Sequence, residues 1–180
     1  MTIQPPITRA APETQPLIER LYQLFLSELA SLRGHTPGQA APPAMPALQC
    51  YWQDVGYAPF LLVNAGQLAG FALVSPHSRI HATYNGCACE VLFVLRPHRR
   101  RGIGQFAAQA LFGSYPGFWE VSAEATNTPG STFWRATVDR YTNGRYHETW
   151  LQNTIWRGPV QSFTSPPGTA NNKRLRGQFS

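Results

Sequence analysis

Long apolar runs are missing from this 180-residue chain. The longest clean stretches, APFLLV from residue 58 and VLFVL from residue 91, fall far short of the roughly 20 residues that cross a bilayer. The opening MTIQPPITRAAPETQ has no apolar core of the kind a secretory leader carries. Cysteine is scarce and odd in number, three in all, which speaks against a disulfide framework. Three soft ligands are also too few for an ordinary structural zinc site, so no metal is expected. These absences exclude membrane-spanning, secreted disulfide-rich and fibrous classes. They predict a soluble, reduced, cytoplasmic protein with no membrane partner. Lysine is nearly absent too: one lysine and fourteen arginines stand against nine acidic residues, for a net charge of +6.

What is present suffices for one core. Apolar residues make up 43% of the chain, and this length buries a core without staples. A single domain is expected over residues 1–166. Residues 167–180, with Lys173, Arg174 and Arg176, are expected as a basic, flexible tail. Residues 2–10 read as an extended edge strand. Residues 16–33 carry a helical period, with Leu17, Leu21, Leu24 and Leu32 along one face and Gly34 as the stop. A Pro/Gly/Ala loop follows at 35–46, then a short helix through 47–54. Strands are predicted at 58–64 and 67–74, joined at Ala65-Gly66 as a hairpin. The strand at 87–95 is apolar on both faces and is therefore expected at the centre of its sheet. Helices are predicted at 102–114, with Phe106, Ala107, Ala110 and Leu111 as the buried stripe, and at 130–141. Strands at 118–125, 145–152 and 160–164 complete a mixed α/β sheet.

The informative segment is RPHRRRGIG, between the central strand and the helix that follows. A helix start leaves about four backbone N–H groups unpaired at the positive end of its dipole, and such an end binds anions. Gly102 and Gly104 carry no side chain to block a ligand pressed on the backbone. Arg99, Arg100 and Arg101 bring charge to the same place, and arginine's planar fork suits phosphate. The expected ligand group is a phosphate or pyrophosphate. GIGQFA also satisfies the dinucleotide pattern G-x-G-x-x-G/A, with Glu124 about 20 residues on. Against that reading, four arginines separate the glycines from the strand's end, and the C-terminal strands read as antiparallel.

The stretch VLRPHRRRGIG followed by a helix resembles motif A of the GCN5-related N-acetyltransferases (GNAT). That motif is R/Q-x-x-G-x-G/A, and Arg99, Arg100, Arg101, Gly102, Ile103 and Gly104 fit it in order. EVLFVL resembles the family's fourth strand, FWEVSAEATN its fifth strand ending in asparagine, and FWRATVDRYTNGRYHE the next helix and sixth strand. The resemblance covers roughly residues 60–165 and looks closest to a bacterial subgroup of predicted acetyltransferases. It implies a twisted, mostly antiparallel sheet of six to seven strands flanked by about four helices. It implies acetyl-CoA as cosubstrate, bound where the fourth and fifth strands part, and acetyl transfer to a primary amine of a small molecule or protein.

Residue by residue, the resemblance implies that amides from Arg100 to Gln105 cradle the diphosphate, with Arg99 and Arg101 adding charge. Phe93 and Val94 would offer backbone bonds to the pantetheine arm, and Asn127 would touch it or order a water. Glu90 would be the general base, its pKa raised by apolar neighbours. The clearest departure lies at Phe133-Trp134-Arg135, where the family usually reads F-Y-x-K and the tyrosine protonates the leaving thiolate. Indole nitrogen only donates and is no acid at ordinary pH, and Tyr141 is two turns away; either coenzyme A leaves as thiolate or Trp134, with Phe133, packs on the cofactor. Tyr51, Trp52 and Tyr57 come from the region that shapes the family's acceptor site. An alternative from another class is a non-catalytic coenzyme A-binding regulatory domain. An arginine-rich nucleic-acid-binding protein is disfavoured, because no recognised motif accompanies the charge. The acceptor and the oligomeric state stay open, with a homodimer as one option.

Overall fold

The computed structural model describes residues 7–34, 48–81, 85–154 and 156–167. The loop expected at 35–46 and nearly all of the basic tail lie outside these residues. The strands are β1 (Ile7–Arg9), β2 (Ala58–Asn64), β3 (Gln67–Ser75), β4 (Gly86–Val94), β5 (Gly117–Ser122), β6 (His147–Gln152) and β7 (Arg157–Ser165). The helices are α1 (Gln15–Leu32), α2 (Cys50–Gln53), α3 (Ile103–Ser114) and α4 (Thr128–Thr142). All seven strands form one sheet in the order β1-β2-β3-β4-β5-β7-β6. Only β4 and β5 run parallel; the other neighbours are antiparallel. The strand apolar on both faces, β4, is the fourth of seven, as its composition predicts.

The β2–β3 hairpin turns at Ala65 and Gly66, with φ of 49° and 77°. Two consecutive positive φ values give the turn whose twist matches the flanking strands. Farther along β3, Gly70 lies against β4: a Cβ built there would stand 2.0 Å from the Phe93 carbonyl oxygen. Glycine is required at that point by contact with the neighbouring backbone.

Each face of the sheet has its own core. On one face α3 and α4 cover Phe60, Leu62, Trp119, Val121 and Phe163, with Phe112 of α3 at the centre of the ring contacts. On the other face α1 and α2 cover Phe71, Leu73, Val91 and Phe93. Two predicted helix faces are corrected here. In α1 the buried residues are Ile18, Leu21 and Tyr22, whereas Leu17, Leu24 and Leu32 are exposed. In α3 Ala107, Ala108, Leu111 and Phe112 are buried and Phe106 is exposed. Leu21, Ala107 and Leu111 are buried as expected, but contact with the sheet takes Ile18, Tyr22, Ala108 and Phe112 in place of Leu17, Leu24, Leu32 and Phe106.

Gly70→Ala is expected to lower unfolding free energy by about 3 kcal/mol, because the methyl meets backbone that cannot move aside. Gly66→Ala should cost only about 1 kcal/mol, since its cost is the positive φ alone. Urea unfolding of both variants checks the ranking; equal losses would show that β4 yields at Phe93.

Candidate active site

The site begins with one extra residue in β4. The β3–β4 ladder pairs Leu73 with Val91 but Val74 with Cys89, so Glu90 is a β-bulge. A bulge bends its strand and strengthens the local twist. The consequence appears on the other side of β4, where pairing with β5 stops at Cys89↔Val121. From Glu90 onward β4 has β3 on one side and an open split on the other. Register decides which backbone groups face the split. Leu95 N–H donates to the Ala69 carbonyl at 2.8 Å, so Val91, Phe93 and Leu95 bond toward β3 and Leu92 and Val94 toward the split. Of the expected pair, Val94 faces the split, with Leu92 as its companion, while Phe93 faces β3 and packs its ring on Phe71 and Phe25.

Beyond β4 the chain makes a single helical turn at Arg96–His98 and enters α3 through two left-handed residues, Arg100 (φ 60°) and Gly102 (φ 76°). The first α3 bond runs from Phe106 N–H to the Gly102 carbonyl at 2.9 Å. The N–H groups of Ile103, Gly104 and Gln105 therefore point out of the helix start. A Cβ at Gly102 would meet nothing within 4 Å, whereas one at Gly104 would press on Phe133 and Val94 at 3.3 Å. The first glycine opens a cradle; the second lets α3 close on α4 and β4.

The arginines divide. Arg99 donates to the Val94 carbonyl at 2.7 Å and to Glu28 at 2.8 Å, and its guanidinium lies 5.4 Å from the Phe93 ring centre. Arg96 also binds Glu28, at 3.0 Å. Both tie α1 to the end of β4. Arg100 and Arg101 are exposed, with no side-chain partner among the described residues. Gln105 accepts from Arg140 at 3.0 Å, joining α3 to α4. His98 keeps a buried Nδ1 without a partner.

A cleft of about 560 Å³ runs through the split, from α1 and α2 on one face to α4 on the other. Glu90 lines it on the α1/α2 side. Its carboxylate accepts from Ser75 at 3.0 Å and from Arg79 at 2.6 Å. Its surroundings are thus polar, not the apolar pocket expected. Arg79 also donates to Ser122 at 3.1 Å and lies 4.0 Å over the Trp156 ring. Its position is fixed by Glu120, 2% exposed, which accepts from the Arg79 N–H at 2.9 Å and from the Ser78 hydroxyl. Tyr22, Tyr51 and Tyr57 surround the carboxylate. Burial first and the Glu90 charge second raise the Tyr22 and Tyr51 phenols above their ordinary value. Tyr57 bonds the His77 ring. Trp52 stays outside the cleft, its indole N–H on the Ala10 carbonyl at 3.3 Å. Arg33, at the end of α1, bonds Glu124 beyond β5, with Nε at 2.8 Å. Glu124, the acid a dinucleotide reading needs for a ribose, is thereby occupied.

On the α4 side the cleft is lined by Asn127, Gly130, Phe133 and Trp134. Asn127 caps α4, its Oδ1 accepting from Gly130 N–H at 3.0 Å. Trp134 is 5% exposed and packs on Phe133 and Phe112. Tyr141 is turned into the core, bonded to Ser165 at 2.8 Å. Burial pushes the Cys87 thiol up to about 11 and raises Cys89 as well. Among the described residues no three His, Cys, Asp or Glu side chains gather as a metal site, and no helix is long and apolar enough to cross a membrane.

Residues 18–127 match the acetyltransferase (GNAT) family. The chain belongs to the GNAT family. No curated protein sequence matches it. Solved structures match in fold. A GNAT acetyltransferase from Streptococcus agalactiae aligns with a TM-score of 0.61 at 15% identity, over 91% of this chain and 95% of that one. The ribosomal-protein-S18-alanine N-acetyltransferase from Escherichia coli aligns at 0.52 and 15% identity, over 92% and 96%. An aminoglycoside 6'-N-acetyltransferase complexed with coenzyme A aligns at 0.52 and 15% identity, over 91% and 98%. Membership carries acetyl transfer as the class of reaction.

Within this GNAT fold, Glu90, Val94, Asn127, Phe133 and Trp134 gather along the split, and Gly102, Ile103, Gly104 and Gln105 lie at the start of α3. Sequence reasoning passed over Ser75, the last residue of β3, His77 and Arg79 in the polar connection that follows it, and Trp156. Only the topology brings them to the bulge. Asn127→Ala is expected to destabilise the protein by about 1 kcal/mol, while Asn127→Asp should retain most of that. Thermal unfolding of the pair checks this; no loss in the alanine variant would mean that the cap is not needed.

Proposed function

We propose that this chain is an acetyl-CoA-dependent N-acetyltransferase that passes the acetyl group to a primary amine by direct attack. The observation that carries the reading is the split: β4 leaves β5 after Cys89↔Val121 with its backbone edge unpaired by any strand, and that edge leads to a helix start with outward N–H groups. An extended pantetheine arm suits an unpaired strand edge, and a diphosphate suits a helix start. The residues fit the group on one further count: open space lies where a Gly102 side chain would stand.

Coenzyme A, when bound, supplies the acetyl group as an activated thioester. The chain's own residues do the rest. Amides of Ile103, Gly104 and Gln105 hold the diphosphate, and exposed Arg100 and Arg101 add charge. Leu92 offers its N–H and C=O and Val94 its N–H to the arm, the Val94 carbonyl being held by Arg99. An outward amide near the bulge donates to the acetyl oxygen, where negative charge grows during attack. An alkylammonium must lose a proton before it attacks, and Glu90 takes it directly or through one water. Ser75 and Arg79 hold that carboxylate in place. Phe133 and Trp134 wall the split on the α4 side.

A second reading, a coenzyme A-binding domain without catalysis, is favoured by one feature: Trp134 replaces the usual acid, and Tyr141 is committed to Ser165. Nucleic-acid binding loses ground, because Arg96 and Arg99 are already paired with Glu28.

Calorimetric titration should give one acetyl-CoA per chain. Gly102→Asn should weaken it at least about tenfold, close to 1.4 kcal/mol, with little change in unfolding temperature, since asparagine tolerates positive φ. No heat from the native chain would sink the proposal. Glu90→Gln should lower kcat about a hundredfold at neutral pH and leave acetyl-CoA affinity alone; unchanged kcat would remove Glu90 as the base.

A further inference from the structure

We propose that the acceptor is a small amine with one positive charge and a flat apolar body, of the arylalkylamine class. The inference rests on the acetyl-transfer reading and on what lines the cleft around Glu90. The rings of Tyr22, Phe25, Tyr51, Tyr57 and Trp156 all border that half. Tyr51 and Tyr57 meet edge to face, with ring centres 5.3 Å apart, so the wall is a packed aromatic surface. Such surfaces hold planar apolar groups by stacking and an ammonium by its attraction to ring faces.

Charge sets the other half of the specificity. The only carboxylates among the described lining residues are Glu90 and Glu124, and each is paired with an arginine, Arg79 and Arg33. These four charges cancel. One ammonium shares the Glu90 carboxylate with Arg79 and loses its own charge as its proton passes to that oxygen. A second ammonium, as in a polyamine or a lysine-rich peptide, would keep its charge, and the other carboxylate, Glu124, is held by Arg33. That second ammonium would lie near two guanidiniums, and an unbalanced charge in a half-buried cleft is expensive. The cleft of about 560 Å³ must also hold the thioester end of the coenzyme, so the part left beside Glu90 suits a small acceptor.

The test uses the full chain with acetyl-CoA, titrated by calorimetry in the same preparation whose thiol release is measured. Tryptamine and phenethylamine are set against spermidine and a lysine-rich hexapeptide. At least about tenfold higher kcat/KM for the arylalkylamines is expected, a difference of 1.4 kcal/mol. Trp156→Leu should raise the KM for tryptamine about fivefold while acetyl-CoA affinity holds. A preference for spermidine or the peptide, or equal rates across the panel, would overturn the inference and leave acetyl transfer standing. Acetyl-CoA binding with no turnover of any amine would overturn this inference together with the catalytic reading. Absence of acetyl-CoA binding would remove the reading on which both depend.

Discussion

One extra residue in the β4 ladder governs the site. Antiparallel pairing with β3 holds β4 firmly, so the strain of an unpaired residue at Glu90 must appear on the side where pairing is shorter. There β4 leaves β5, and the split is the result. The same bulge explains why the acidic side chain lies where the strands part, toward Ser75 and Arg79, while Leu92 and Val94 turn their backbone to the gap. The position of the Glu90 carboxylate and the unpaired edge of β4 are therefore one feature of the backbone. Neither could move without the other.

Around that feature the protein uses arginine for construction more than for display. Arg99 and Arg96 converge on Glu28 and fasten α1 to the end of β4, Arg33 reaches Glu124 across the cleft, and Arg79 spans Glu90, Ser122 and Trp156. These pairs are partly exposed, where an isolated ion pair contributes little. Their value lies in geometry: Arg79 and Arg99 each hold two or three groups, and Arg33 and Arg96 each join two elements. A net charge of +6 therefore overstates how much positive field a ligand meets. Near the α3 start it meets Arg100 and Arg101, which lack side-chain partners among the described residues.

The local features of the fold were legible in the sequence. Gly66 marked the hairpin because the turn's positive φ suits glycine, VLFVL marked the central strand because both its faces are covered, and Gly102 marked the helix entry. The site was legible only where a motif is contiguous. Arg79 and His77 lie in SPHSRIH, a stretch with no periodicity, and gain meaning only when β3 and β4 bring Ser75 beside Glu90. Arg99 looked like a phosphate ligand because its partner, Glu28, is 71 residues away. The α1 face was misread because leucines recur there at a helical spacing, yet the sheet binds the face that carries Tyr22. In each case the missing information was a contact between distant segments, which spacing along the chain does not carry.

The loss of a tyrosine at Trp134 has a bounded consequence under the acetyl-transfer reading. A general acid matters most when the leaving group is strongly basic. A cysteine thiol has a pKa near 8.5 and a plain alkyl thiol is about one to two units more basic, so leaving as thiolate at neutral pH costs about 2–4 kcal/mol relative to the protonated form. The amine side is different: an alkylammonium near pKa 10.4 must surrender its proton before attack, a cost of roughly 4–5 kcal/mol at neutral pH. The greater need for proton transfer is therefore at Glu90, where the bulge places a carboxylate, and the lesser is at α4, where Trp134 serves packing with Phe133 and Phe112. Substituting indole for phenol removes the less demanding half of the proton traffic and gains a larger buried surface between α4 and the split.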